Sequence, residues 1–353
     1  MKKLFLLTIL SFVCIFIANA QRFQVTTGTS LADEKWAVIQ DSVAGGYVTI
    51  GNVTSSAGLR QVWISSYNTA GVVITSALAT NGRQMIARDI CQAPPEASTG
   101  KRSYYVTGWT ITGTIHQMFI GRIKLDGGFI WYLENPFGGT AGNSKEGVAI
   151  AVAPNGDAVA AGNTAMPAST FPAGSRVTMT RVSSAGVIMW SKVYNQSGNW
   201  MVRELANGVP SPGCAASPTA LPGEFVITGE VNISTVTGGG RPTTFAAVYN
   251  GAGTECWKNI YPVSFSSPAI TADAGYDVVY NTATGNYAIA GVAQTGAARA
   301  SVASTPYLLE VSAAGAMVSG AVYFAPGLTP LGLYPRCIAK GVSTPGEIGR
   351  AHV

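Results

Sequence analysis

The sequence predicts an all-β fold: a β-propeller of four-stranded antiparallel blades, about five of them complete and a sixth cut short. Three observations predict it. A pattern recurs about every sixty residues. Each unit contains a strand that ends in glycine. In each unit a tight turn carries a further glycine, and in three units a tryptophan follows that glycine four residues on.

The third unit shows the pattern in order. Gly147 to Val152 is an apolar first strand, and Pro154-Asn155-Gly156-Asp157 is turn chemistry, with Asn-Gly supplying a positive φ. Ala158 to Gly162 is the second strand. Arg176 to Val182 alternates as a half-buried third strand does, Ser184-Ala185-Gly186 turns the chain, and Val187 to Tyr194 is the fourth strand. The second strand recurs as Tyr47 to Gly51, Tyr104 to Gly108, Phe225 to Gly229 and Tyr287 to Gly291. The hairpin glycines are Gly71, Gly127, Gly186, Gly253 and Gly315. Trp131, Trp190 and Trp257 each follow one of them by four residues.

Four antiparallel strands repeated in this way make a propeller blade, which buries its faces only against its neighbours. The tryptophans are expected as inter-blade core, because an indole covers a large apolar area and needs one partner for its N–H. Tandem β-sandwiches are the runner-up. Units of this length are short for a sandwich of roughly seven strands and 100 residues. A sixth unit begins at Arg336-Cys337-Ile338-Ala339.

The Gly-(x)3-Trp pattern over about residues 35 to 346 resembles the blades of quinoprotein-like and related bacterial propeller repeats. The texture is similar to secreted proteins exported with a type IX sorting domain. The resemblance implies architecture rather than activity. Val182 stands where the quinoprotein pattern places an Asp four residues before the turn glycine, so no quinone cofactor is implied. Asp41-Ser42-Val43 fits the short O-glycan acceptor of such bacteria.

Residues 1–20 read as a signal peptide. Lys2 and Lys3 precede the apolar run Leu4 to Ile17, and Ala18-Asn19-Ala20 is an A-x-A site with cleavage after Ala20. The run is short of the roughly 20 residues of a membrane span, so the mature chain, residues 21–346, is expected outside the cell without one. The last residues, 347–353, back-translate to the start of a common sequencing adapter, and the natural sequence is expected to continue past Gly346. Cys91, Cys214, Cys256 and Cys337 remain after cleavage. No pair has C-x-x-C spacing, and small buried thiols are the simplest reading, with one or two disulfides as the alternative. Charged residues are only 11% of the chain, and no Lys/Arg cluster suggests nucleic acid.

The motifs of familiar chemistries are missing. A single usable histidine, His116, and scattered cysteines give no metal-ligand spacing. His116 reads as a hydrogen-bonded strand-edge residue rather than a base. Asp126 matches part of a sialidase Asp-box but stands in a turn without its usual companions. One constellation is a candidate ligand site. Arg88-Asp89, Arg203-Glu204, Asp277 and Arg336 fall on first strands, which line a propeller channel. The simplest expectation is that these charges pair with one another; the alternative is a polar site at the channel mouth. The chain therefore reads as a secreted or cell-surface binding, adhesion or scaffold module with no cofactor, whose partner is a glycan or a surface protein. The alternative is a glycan-active hydrolase or lyase using channel-mouth carboxylates.

Overall fold

The computed structural model describes residues 33–322, except 56, 80–81, 97–98, 137–143, 165–174, 195–197, 233–241, 264–269 and 296–302. The signal peptide, Arg336, Cys337 and residues 347–353 lie outside the described residues.

Among the described residues twenty strands form five antiparallel sheets, each a simple meander of four consecutive strands. Blade 1 is β1 (Asp33–Gln40), β2 (Tyr47–Thr54), β3 (Arg60–Tyr67) and β4 (Val73–Ala79). Blade 2 is β5 (Gln84–Gln92), β6 (Tyr104–Thr112), β7 (Ile115–Ile123) and β8 (Phe129–Glu134). Blade 3 is β9 (Lys145–Val152), β10 (Ala158–Thr164), β11 (Arg176–Val182) and β12 (Ile188–Tyr194). Blade 4 is β13 (Asn199–Asn207), β14 (Glu224–Asn232), β15 (Thr243–Asn250) and β16 (Glu255–Tyr261). Blade 5 is β17 (Ile270–Asn281), β18 (Asn286–Thr295), β19 (Ala303–Ser312) and β20 (Met317–Val322). No α-helix occurs among the described residues. The chain is thus a propeller-like repeat protein, and the sandwich alternative falls because no two of its sheets come from one unit.

Burial follows the blade junctions. Val48, Ile50, Val62 and Ile64 of blade 1 pack with Met85, Tyr104 and Phe119 of blade 2. Tyr105, Met118 and Ile120 meet Ile150, Ala158 and Ala160 of blade 3. Val159, Val177 and Met179 meet Trp200, Val202, Leu205 and Phe225 of blade 4. Val226, Ala246 and Val248 meet Val278, Tyr287 and Leu309 of blade 5. The core is therefore a series of slabs, each shared by two successive blades, as expected when no blade can bury both faces alone.

Two glycine positions explain the repeat. The hairpin glycines all adopt positive φ, from +69° at Gly253 to +86° at Gly186. Each donates its N–H three residues back, as Gly186 does to Ser183 O at 2.9 Å, and a register shift follows, with its extra residue on the fourth strand. This is a hairpin with a G1-type bulge, which needs glycine at its left-handed position. At Gly186 an added Cβ would lie 2.8 Å from the Trp131 ring, at Gly253 2.9 Å from Trp190, and at Gly315 2.8 Å from Trp257. Each tryptophan thus lies on the hairpin glycine of the following blade.

The indole nitrogens complete the junction. Trp131 Nε1 donates to Ser184 O at 3.0 Å, Trp190 Nε1 to Gly251 O at 3.0 Å and Trp257 Nε1 to Ala313 O at 2.9 Å. In blades 2 and 3 an arginine from the third strand joins the same carbonyl: Arg122 donates to Ser184 O at 3.0 Å and Arg181 to Gly251 O at 3.0 Å.

Cys214 and Cys256 form a disulfide, with Cα atoms 4.8 Å apart, while Cys91 is free. The reading of four separate thiols is corrected for this pair. The β13–β14 connection folds back over the start of β16 and brings together two residues that are 42 positions apart.

Candidate functional site

The second recurring glycine shapes the inner strands. At Gly51, Gly108, Gly162, Gly229 and Gly291 an added Cβ would overlap the backbone carbonyl oxygen of Glu34, Ile86, Glu146, Met201 or Ala274, each on the neighbouring inner strand. Opposite each glycine the inner strand carries a β-bulge. The extra residues are Trp36, Arg88, Val148, Arg203 and Tyr276. A bulge re-aims the side chains beside it. It puts Asp89, Glu204 and Asp277 at equivalent positions, one residue beyond the bulge in blades 2, 4 and 5.

The arginines and their neighbouring carboxyls go to different partners. Arg88 lies 4.0 Å over the Trp36 ring of blade 1 and 5.7 Å over Trp109. Arg203 pairs with Glu230 of its own blade and lies 5.6 Å over Tyr276 of blade 5. Asp89 accepts the amides of Ile90 at 2.8 Å and of Ile150, on the next inner strand, at 2.7 Å. Glu204 accepts Leu205 N at 2.9 Å. The expectation that these charges would pair with one another is corrected for Arg203, whose partner is Glu230.

The carboxyls sense one another. Burial pushes Asp89 up to about 7; the Asp277 charge adds to the rise, while the two amides and Arg88 oppose it. Glu204 rises well above the usual range, through burial first and then through Asp89 and Asp277. Asp277 itself is 8% exposed. Burial also lifts Asp273, beside Thr244 and Val263, to about 6.

These shifts fix the sign of a pH dependence. Unfolded, Asp89 titrates near 3.8; folded, it titrates near 7. Between those values the folded chain holds a proton that the unfolded chain has released. The stabilisation is therefore complete below about pH 4 and is lost as the pH rises through 7. Asp41 and Glu310, whose carboxyls are lowered, act the other way below about pH 4. The protein is expected to be most stable near pH 4, and raising the pH from 5 to 8 should cost about 3 kcal/mol, or roughly 6 °C in melting temperature. Asp89→Asn should flatten that slope in thermal melts across pH 5–8; an unchanged slope would count against the shared carboxyl environment.

The other candidates take structural places. His116 Nδ1 bonds Glu146 across the junction of blades 2 and 3, and its ring stacks on Trp109. Asp126 Oδ1 accepts Gly128 N at 2.9 Å, as a turn residue does. Asp41 is buried and accepts from Val43 N, Ala44 N, Gln92, Arg102 and Tyr104, while Ser42 stays exposed. Among the described residues no group of three or more His, Cys, Asp and Glu is arranged to hold a metal ion, and no helix is long and apolar enough to cross a membrane.

A cleft of about 80 Å³ opens between blades 4 and 5, lined by Arg203, Glu230, Asp273, Tyr276 and Gln294. It sits at the leading end, where the inner strands begin. The second and third strands of each blade are joined by connections of different length. They run from residues 113–114 in blade 2 to 165–175 in blade 3, 233–242 in blade 4 and 296–302 in blade 5.

No family model matches the chain, and no curated protein matches it. Among solved structures it is similar to a protein of unknown function from Bacteroides caccae, with TM-score 0.31 and 11% identity over 74% of this chain and 90% of that one. It is also similar to the tail fiber of Staphylococcus aureus phage P68, with TM-score 0.24 and 8% identity over 86% of this chain and 78% of that one. A eukaryotic initiation factor gives TM-score 0.23 and 8% identity over 87% and 92%.

Proposed function

We propose that the chain is a secreted or cell-surface binding module or scaffold, without catalysis, that engages a glycan or a surface protein through the connections between its strands. The observation that carries this reading is the division of labour in the sequence. The repeated charges and aromatics serve as fasteners inside and between blades. The length variation lies in the connections between strands, from four to sixteen residues between first and second strands and from two to eleven between second and third. Binding residues are typically found on variable loops held by a rigid scaffold. Both oxygens of Asp89 are taken by amides, which leaves it poorly placed to deliver a proton to a glycosidic oxygen.

The test is to present residues 21–346 to arrays of immobilised glycans and of surface proteins. Saturable binding is expected, and it should be lost when residues 165–175 are replaced by a two-residue Asn-Gly turn, with the melting temperature retained. Release of reducing sugar that disappears in Glu204→Gln would overturn the reading in favour of a hydrolase.

A further inference from the structure

We propose that the cleft between blades 4 and 5 binds the hydroxyl-bearing edge of a neutral sugar, the terminal residue of a glycan. This rests on the reading of the chain as a glycan-binding module. The first support is a departure from the repeat. At the other three junctions between described blades, the residue after the strand glycine closes the leading end. Asn52 donates to Ala87 O at 3.2 Å and accepts Ala87 N at 2.9 Å, so it clamps blade 1 to blade 2. Asn163 holds Val202 of blade 4 in the same way, at 3.0 and 2.8 Å. In blade 2 the residue is Trp109, which stacks on His116 with ring centres 5.8 Å apart, and His116 bonds Glu146 of blade 3.

In blade 4 the residue is Glu230, which turns back to Arg203 of its own blade. The register puts Pro242 where blade 2 has His116, and Ala274 where blade 3 has Glu146. Two rings and a carboxyl thus give way to Glu230, Pro242 and Ala274, and the cleft of about 80 Å³ stands open there.

The second support is the chemistry of the walls. Among the described residues Arg203 gives one N–H to an acceptor, the bond to Glu230, and its Nε is buried with none. Arg181, by comparison, reaches four acceptors. The Arg203 side chain is 28% exposed, so its outer N–H groups stay within reach of a ligand. Asp273 accepts Thr244 N on one oxygen and Val263 N on the other, which leaves each oxygen a second lone pair. Gln294 adds an amide that both donates and accepts. Donors and acceptors set side by side suit a group that does both, which is a hydroxyl. An anion finds the one arginine already neutralised by Glu230, and a cation must lie beside that arginine, so a neutral ligand is favoured. Tyr276 offers ring surface to its C–H groups. The volume is well below the roughly 300 Å³ at which pockets for larger ligands begin, so the cleft takes one edge of a sugar and leaves the rest in solvent.

The experiment is saturation-transfer NMR of the whole chain at neutral pH. The probes are the methyl glycosides of glucose, galactose, mannose and N-acetylglucosamine, with those of glucuronic acid and glucosamine as the charged pair. At least one neutral glycoside should bind, and more tightly than either charged one. Ala272→Trp, which sets an indole on the cleft wall, should weaken that binding more than about 10-fold with the melting temperature retained. Glu230→Gln, which keeps the shape and removes the charge, should weaken it about 10-fold. No binding by any neutral glycoside, tighter binding by a charged one, or binding untouched by both variants would overturn the proposal. Capture of immobilised glycans or surface proteins by the same preparation would then show that the chain binds elsewhere. Absence of capture would bring down the broader reading as well.

Discussion

Replacing Arg181 with alanine is expected to cost about 3–5 kcal/mol, the usual penalty for breaking a buried ion pair. Its side chain is 0% exposed, in a chain with few charges to place. Nε donates to Asp157 Oδ2 at 2.9 Å and Nη2 to Asn155 Oδ1 at 2.8 Å, both within blade 3. Nη1 donates to Pro222 O at 3.1 Å and Gly251 O at 3.0 Å, both in blade 4. Truncation leaves a buried carboxylate without its cation and two carbonyls short of a donor, and it empties the junction between two blades. The melting temperature should fall by roughly 10 °C. Arg181→Lys should recover only part of the loss, because a single ammonium cannot span partners that a planar fork reaches on two sides. Arg122→Ala should cost less, about 2 kcal/mol, since Arg122 meets Ser103, Pro94 and Ser184 and no carboxylate. A melting temperature for Arg181→Ala within roughly 2 °C of the parent would refute the view that this arginine fastens blade 3 to blade 4.

Loss of the Cys214–Cys256 bond is expected to be of similar size. Closing a loop of 42 residues corresponds to about 4 kcal/mol of chain entropy in the unfolded state. The bond also holds the β13–β14 connection in place, and that connection touches both neighbouring blades. Pro222 O receives Arg181 of blade 3, and Ser211 Oγ donates to Ala313 O of blade 5 at 2.8 Å, the carbonyl that Trp257 also reaches. The double variant Cys214→Ser, Cys256→Ser should therefore melt lower and also lose amide protection at residues 250–254 and 312–316, seen by hydrogen exchange. Equal melting of reduced and oxidised protein would show that the connection is held without the bond.

Much of the architecture was legible in the residues, and the reason is local. Gly186, Gly253 and Gly315 announce hairpins because a positive φ leaves little choice of residue, and a tryptophan four positions on marks the outer strand. In blade 3 the strand expected over 176–182 is the one observed, and the others differ only at their ends. The bulges were not legible. An extra residue in an inner strand has no composition of its own, and the requirement shows only as a glycine on the partner strand, whose reason is a carbonyl in three dimensions. The candidate site suffered from the same blindness. Arg203 was one of a set of charges expected to pair with one another, yet its partner is Glu230, on the neighbouring strand and outside that set. Arg122 and Arg181 read as the polar half of an alternating strand. Their burial depends on the next blade, which no local pattern describes. A repeated Arg before the last residue of the third strand was the one available signal.

The tryptophan contacts also give the molecule a mechanical grain. Every one of them reaches from a blade to the hairpin of the blade that follows it in the chain. Tension between the two ends separates each indole from the hairpin of the next blade, whichever end is held. Because the same contact recurs at three successive junctions, stretching should release the blades in steps of similar force rather than in one event.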